Sequence, residues 1–383
     1  MLITVRSFAK INLGLRIGAL QADGFHELRT VYQTIALHDV VRLSVARGSG
    51  IEIRCDDPRV PKDSTNTCFR IVDRAMQALK ARGRVVIEIE KLLPVQGGLG
   101  GASGNAVAAL LALEMALEKK LTGPERLRIA AEVGSDLPLF LVGGTVLGAG
   151  RGEEVYPLPD LPPMPCVVAT PEIPVSTPKA FADWDSLFPT LLSHSEPASA
   201  GEEPAVGRQH GYSRGQQVPR LRRMTELLKE GISIGESSSK QSKLTPPVPS
   251  DRMIEFSREI SAWLSAGLGT IKHRRSGVSA KAKSGGRAET LQLDLVRTGI
   301  ENDFEKVVFP QYPELSELKS VLDGAGAHYA SLSGSGSAIY GLFESREKAA
   351  AAAKKLIKAG VPAVVTSTLT RQQYWKQLLA TGS

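Results

Sequence analysis

Pro94-Val95-Gln96-Gly97-Gly98-Leu99-Gly100-Gly101-Ala102-Ser103-Gly104-Asn105 joins a strand-like run, Arg84 to Ile89, to a helix-like run, Ala106 to Leu117. Glycine lets backbone amides come close to an anion and adopt positive φ. A helix starting just beyond adds free N–H groups and the positive end of its dipole. The spacing is neither the GxxxxGK[ST] of a P-loop nor the GxGxxG of a dinucleotide fold. Two readings stand. The loop holds a phosphate group by its backbone, or it is a tight turn whose glycines serve packing alone.

The whole chain sets bounds around that loop. Its 383 residues can bury more than one core, so two domains are expected. A hydrophobic content of 42% fits a soluble globular protein. No apolar run is long enough to span a membrane, and the N-terminus lacks a signal-like segment, so a cytoplasmic protein is expected. Cys55, Cys68 and Cys166 are widely spaced and odd in number, which suggests a reducing compartment and small core residues rather than a zinc site. The net charge of +7 is confined to one region: residues 201–290 hold 16 Lys and Arg against 9 Asp and Glu. The rest of the chain is balanced, so the basic pI gives no general case for nucleic-acid binding.

Along the chain, 2–6 and 9–18 read as short strands, with Lys10 and Asn12 in Ser7-Phe8-Ala9-Lys10-Ile11-Asn12. Lys10 points to solvent or reaches into a phosphate cleft. Phe25-His26 follows a turn signal, Ala22-Asp23-Gly24, and either stacks on a ring and bonds its edge or is a core aromatic beside a surface histidine. Extended strands fill Val31 to Val45, broken near Leu37-His38-Asp39, and another strand lies at 50–54. Asn66-Thr67 caps a helix over 68–80, and 85–90 is a strand. Pro124 opens a helix to about 132. In Gly134-Ser135-Asp136-Leu137-Pro138, either Ser135 or Asp136 caps a short helix, or Asp136 is a buried functional acid in an apolar segment.

The proline-rich run 157–165 reads as a linker after a strand near 145–150. A strand at 167–170 then leads to Val175-Ser176-Thr177-Pro178, either a helix cap or a ligand contact. Residues 190–290 are rich in Ser, Gly, Pro and Gln and read as mostly disordered, with short helical patterns at 219–230 and 251–265. Beyond them come helices at 312–324 and 345–358, a second glycine-serine loop at 330–343 and a last strand at 361–368, an α+β pattern.

Three motifs stand in a familiar order: Ser7-Phe8-Ala9-Lys10-Ile11-Asn12, the glycine loop, and Leu332-Ser333-Gly334-Ser335-Gly336-Ser337. They resemble the GHMP kinase superfamily, small-molecule kinases named after galactose, homoserine, mevalonate and phosphomevalonate. Within it the chain is most similar to the 4-diphosphocytidyl-2-C-methyl-D-erythritol kinases. The features carrying that likeness are Ala22 to Leu28, Gly134 to Phe140, Val175 to Pro178 and Asn302-Asp303-Phe304-Glu305.

The resemblance covers about 1–185 and 291–383. It implies an α+β, two-domain GHMP kinase fold: residues 1–160 as an N-terminal domain like ribosomal protein S5 domain 2, and 161–383 as a ferredoxin-like α/β sandwich interrupted at about 190–290. It also implies ATP and Mg2+, with the metal's protein ligands unassigned, and a small-molecule substrate carrying a cytidine diphosphate group. The reaction implied is phosphorylation of that substrate in non-mevalonate isoprenoid precursor synthesis, by a monomer or homodimer.

The resemblance assigns roles as well. Asp136 takes the proton of the acceptor hydroxyl, and Lys10 pairs with it, since a neighbouring ammonium favours an ionised carboxylate. Pro94, Gly97, Gly98, Leu99, Gly100, Gly101, Ala102, Ser103 and Gly104 hold ATP, with Asn66 near the adenine. Asn12, Phe25, His26 and Thr177 contact the substrate, the aromatic pair at its cytosine. The chain departs from the family at Gly104 and Asn105, where a second serine and an aspartate are usual, and at Phe25, where tyrosine is common. The competing functions are a GHMP kinase for another small alcohol and a protein binding nucleic acid through 201–290. The second lacks any accompanying aromatic RNA-binding motif.

Overall fold

The computed structural model describes residues 1–21, 23–95, 97–189 and 301–379. The expected insertion at 190–290, with its two helical patterns and basic tracts, lies outside them, as do residues 291–300.

Two sheets organise the described chain. In the first, β1 (Leu2–Leu20) and β2 (His26–Ala46) form a long antiparallel pair. β2 also pairs with β4 (Arg84–Glu90) along one half and with β5 (Thr145–Ala149) along the other. β3 (Ile51–Arg54) runs parallel to β4, and β6 (Glu154–Pro157) lies beyond β5. The second sheet is antiparallel, in the order β10 (Ala363–Ser367), β7 (Pro165–Ala169), β9 (Ile339–Leu342), β8 (Tyr329–Leu332).

The two short strands expected at 2–6 and 9–18 are one strand. Its pairing with β2 shifts register between Phe8 and Ala9, and such a shift re-aims the side chains beyond it. Before the shift, Ile3, Val5 and Phe8 pack under the helices of the first core. After it, Ala9, Ile11 and Leu13 join Cys166, Val168, Tyr329 and Tyr340 of the second sheet. The strand is therefore buried without interruption from Ser7 to Leu15. Tyr340 Oη donates to Asn12 O at 2.7 Å and Tyr329 Oη to Leu13 O at 2.8 Å, so β1 is the seam between the two halves.

α1 (Thr67–Ala78), α2 (Gly101–Leu117), α3 (Gly123–Val133) and α4 (Leu137–Val142) cover the first sheet. α2 is buried throughout from Gly104 to Glu114, as its alanine- and leucine-rich composition requires. α5 (Thr177–Leu187), α6 (Glu305–Val308), α7 (Pro313–Gly324) and α8 (Arg346–Lys358) pack on the second sheet.

A last helix, α9 (Arg371–Leu378), has no counterpart in the sequence reading. It returns to the first core, where Tyr374 Oη donates to Phe140 O at 2.7 Å and Trp375 Nε1 to Val142 O at 3.0 Å. All three cysteines are buried and unpaired, and burial pushes the Cys68 thiol up to about 12. Among the described residues no helix is long and apolar enough to cross a membrane.

Candidate active site

The buried part of β1 delivers Lys10, 3% exposed, to the seam between the halves. Its ammonium donates to Asn12 Oδ1 at 2.7 Å and lies 3.5 Å from Asp136 Oδ2. Asn12 is fixed in turn, donating from Nδ2 to Thr30 Oγ1 at 2.8 Å, and the Thr30 hydroxyl donates to Gly14 O at 2.7 Å. Asp136 occupies the N-cap position of α4, but its side chain makes no capping hydrogen bond. Its side chain is a third exposed, so one face of the carboxylate meets solvent. Tyr32 Oη donates to Asp136 Oδ1 at 3.0 Å. Burial lowers the Lys10 pKa below its ordinary value, and the Asp136 charge opposes that fall.

The glycine loop meets Lys10 directly. Lys10 N–H donates to Leu99 O at 2.9 Å, and a Cβ on Gly100 would lie 3.0 Å from Lys10 Cγ. The second glycine-serine loop closes from the other side: Ser333 Oγ donates to Gly98 O at 3.0 Å and Ala338 N–H to Gly97 O at 3.2 Å. Gly98 has φ of +73°, and a Cβ there would fall 2.0 Å from Ser333 O, so no other residue fits.

α2 starts inside the loop, at Gly101 rather than at Ala106 as expected, and Gly104 N–H to Gly100 O is its first internal bond. The amides of Gly101, Ala102 and Ser103 are thus first-turn donors without helical acceptors, the arrangement that suits an anion. The glycines serve both readings at once, close packing on one side and an open N-terminal turn on the other. Beside the loop lies a cavity of about 340 Å3, bordered by Val60, Pro61, Asn66, Ile89 and Pro94. Asn66 caps α1, its Oδ1 accepting from Cys68 N–H at 2.8 Å.

The remaining expected residues lie around this centre. Thr177 Oγ1 is 2.7 Å from Ser335 Oγ, which ties the start of α5 to the second loop. Asn302 Nδ2 donates to Leu332 O and Gly334 O, each at 2.8 Å, and Asp303 accepts from Ile17 N–H and Arg16, so the Asn302-Asp303 motif works by holding that loop against β1. Phe25 is 53% exposed. His26 is buried, its Nδ1 2.9 Å from Gly18 O and its Nε2 2.9 Å from Asp185 Oδ1, and its ring stacks on Phe181 at 5.3 Å.

Two family models match the chain, the GHMP kinases N terminal domain over 66–144 and GHMP kinases C terminal over 287–362. The 4-diphosphocytidyl-2-C-methyl-D-erythritol kinase of Solibacter usitatus (strain Ellin6076) is 33% identical over 342 residues, 89% of this chain and 81% of that one. The chain belongs to the GHMP kinase superfamily. The enzyme of the same description from Acaryochloris marina (strain MBIC 11017) is 31% identical, covering 92% of this chain and 91% of its own. A crystal structure of 4-(cytidine 5'-diphospho)-2C-methyl-D-erythritol kinase, 24% identical, shares the fold with a TM-score of 0.59 over 96% of this chain and 99% of that one.

Against that GHMP background the two departures in the glycine loop have a structural reason. A Cβ on Gly104 would lie 2.8 Å from Ser7 Oγ and 2.9 Å from Phe8 O, so the Ser7 hydroxyl fills the space a second loop serine would need. Asn105 Nδ2 donates at 3.0 Å to Asp39 Oδ2. An aspartate at 105 would set two carboxylates side by side in a buried site.

Nothing local in the sequence marks Asp39 or Tyr32. Asp39 lies in what reads as a strand break, yet it is fully buried inside continuous β2. Tyr32 reads as one more strand aromatic. Its hydroxyl takes one oxygen of Asp136 and leaves the other toward Lys10. Tyr32→Phe should lower kcat by roughly tenfold or more, the worth of a hydrogen bond to a charged group, with the KM for ATP unchanged. Steady-state kinetics on both substrates check this; an unaltered kcat would remove Tyr32 from the site.

Proposed function

We propose that this GHMP kinase transfers the γ-phosphoryl group of ATP to the 2-hydroxyl of 4-diphosphocytidyl-2-C-methyl-D-erythritol, a cytoplasmic step of non-mevalonate isoprenoid precursor synthesis. The observation that carries the reading is the Lys10–Asp136 pair, 3.5 Å apart, beside an open helix N-terminus formed by the glycine loop. The names of its relatives favour the cytidylylated alcohol over other acceptors, and the half-exposed Phe25 ring offers aromatic surface for a base, whereas His26, buried against Phe181 with both ring nitrogens engaged, would support that corner rather than face the base.

Phosphoryl transfer depends on positioning and charge neutralisation. The Gly97–Ser103 backbone would receive the β- and γ-phosphates, with the adenine in the cavity near Asn66. The substrate oxygen attacks the γ-phosphorus, the bond to the β–γ bridging oxygen breaks, ADP leaves, and the hydroxyl proton passes to Asp136. Lys10 would orient that hydroxyl and offset the charge on phosphorus. Magnesium neutralises the phosphates when bound. Among the described residues no three His, Cys, Asp or Glu side chains cluster as a metal site would require. Asn12, committed to Lys10 and Thr30, would act at the substrate through Lys10, and Thr177 would meet the substrate from the second half.

A panel of alcohols with ATP and magnesium tests the reading: the cytidylylated substrate, homoserine and mevalonate. Turnover of homoserine or mevalonate in preference to the cytidylylated substrate would overturn it. A pH profile adds a second check. The Lys10 pKa is lowered by burial, so its ammonium is lost at a lower pH than that of an exposed lysine. Activity that needs the ammonium should therefore be present on the acid side of that pKa and fall as pH rises through it, below the ordinary 10.5. A kcat flat to pH 10.5 would exclude a required charge on Lys10.

A further inference from the structure

The loop Gly150-Arg151-Gly152-Glu153 links β5 to β6 and runs between the two ends of the candidate site. At one end the Arg151 guanidinium carbon lies 4.8 Å from the centre of the Phe25 ring. At the other, Gly152 abuts the Asp136 corner: a Cβ there would lie 2.6 Å from Tyr32 Oη and 3.8 Å from Asp136 Oδ1. The loop is fixed in place. Leu28 N–H donates to Gly150 O at 2.6 Å, Gly152 N–H to Ala149 O at 3.0 Å, and Arg151 N–H to Glu153 Oε2 at 2.6 Å.

Arg151 is thus held at the aromatic corner, one residue before the glycine that abuts the carboxylate, with its own charge largely unused. Its side chain is 41% exposed, and its only ion pair among the described residues is with Glu153, 3.7 Å from Nε and beyond hydrogen-bonding distance. Glu153 is already engaged by the Arg151 backbone. Packing of the guanidinium against Phe25 restrains it without consuming its donors, and the half-exposed ring keeps surface for a base.

We infer that Arg151 receives the diphosphate bridge of the substrate. The inference rests on the substrate reading above: a molecule with a base at one end and the reacting alcohol at the other carries its phosphates between them. A planar guanidinium offers forked donors to phosphate oxygens, which a lysine cannot reproduce. Arg151 is then a specificity residue, separating a diphosphate-linked substrate from an uncharged nucleoside.

The test is binding of CDP and of cytidine, titrated with a non-hydrolysable ATP analogue and magnesium saturating the ATP pocket. Wild type should bind CDP at least roughly tenfold more tightly than cytidine, the worth of a charge-assisted hydrogen bond. Arg151→Gln should erase most of that preference while leaving cytidine binding in place, and Arg151→Lys should restore part of it. A CDP preference that survives in R151Q, or a wild type that binds the two ligands equally, overturns the inference. Parallel loss of both ligands in R151Q overturns it too, because Arg151 would then serve only to support Phe25. Failure of wild type to bind either ligand would instead strike at the substrate reading itself, and the inference would fall with it.

Discussion

Asp136→Asn should lower kcat by roughly 10²–10⁴-fold, the usual worth of one general base, while ATP binding stays close to that of wild type. Asparagine keeps the shape of the side chain and an oxygen for the Tyr32 hydroxyl, now 3.0 Å from Oδ1. It removes the proposed proton acceptor and the negative charge 3.5 Å from Lys10. The second loss matters because the Lys10 pKa is already depressed by burial, and Asp136 is the charge that raises it again. The remaining activity of D136N should therefore be lost at lower pH on the alkaline side than that of wild type. Since the two residues act together, adding Lys10→Met to D136N should cost far less than K10M alone. Titration with an ATP analogue separates binding from chemistry. A D136N enzyme that keeps most of its kcat would remove Asp136 from the mechanism.

The parts of this site legible in the sequence are those whose signal is local. The glycine loop, Lys10 and the Asn302-Asp303 motif each declare themselves within a few residues, and strand and helix positions follow from period and caps. What the sequence hides is non-local. The single strand β1 reads as two in sequence because a register shift inside it moves the apolar side from one core to another, which breaks the alternation without breaking the strand. α9 is polar on its outer face, and only its packing on Phe140 and Val142 reveals why it forms where it does. Tyr32 and Asp136 are 104 positions apart, and no spacing rule connects them. Gly104 and Asn105 read as losses from a motif, yet Ser7 and Asp39, both distant in sequence, account for them.

Asp39 carries the largest expected effect on stability. It is fully buried, and both carboxylate oxygens are taken. Oδ1 accepts from Leu92 N–H at 2.7 Å and Leu93 N–H at 2.8 Å; Oδ2 accepts from the Lys91 ammonium and from Asn105 Nδ2 at 3.0 Å. Residues 91–93 precede the glycine loop and Asn105 follows it, so one carboxylate ties both ends of the loop together. Asp39→Ala would leave the Lys91 ammonium, its side chain 9% exposed, without its partner and would orphan two backbone amides. Breaking a buried pair from one side costs about 3–5 kcal/mol, so D39A should unfold at markedly lower denaturant concentration than wild type. Asp39→Asn should fall between the two, since its oxygen can still accept from Leu92 and Leu93. Because the loop is what would hold the ATP phosphates, both variants should raise the KM for ATP more than that for the acceptor, measured well below their melting temperatures. A D39A protein as stable as wild type, or one whose KM rises only for the acceptor, would show that the loop is held by Lys10 and Ser333 without this clamp.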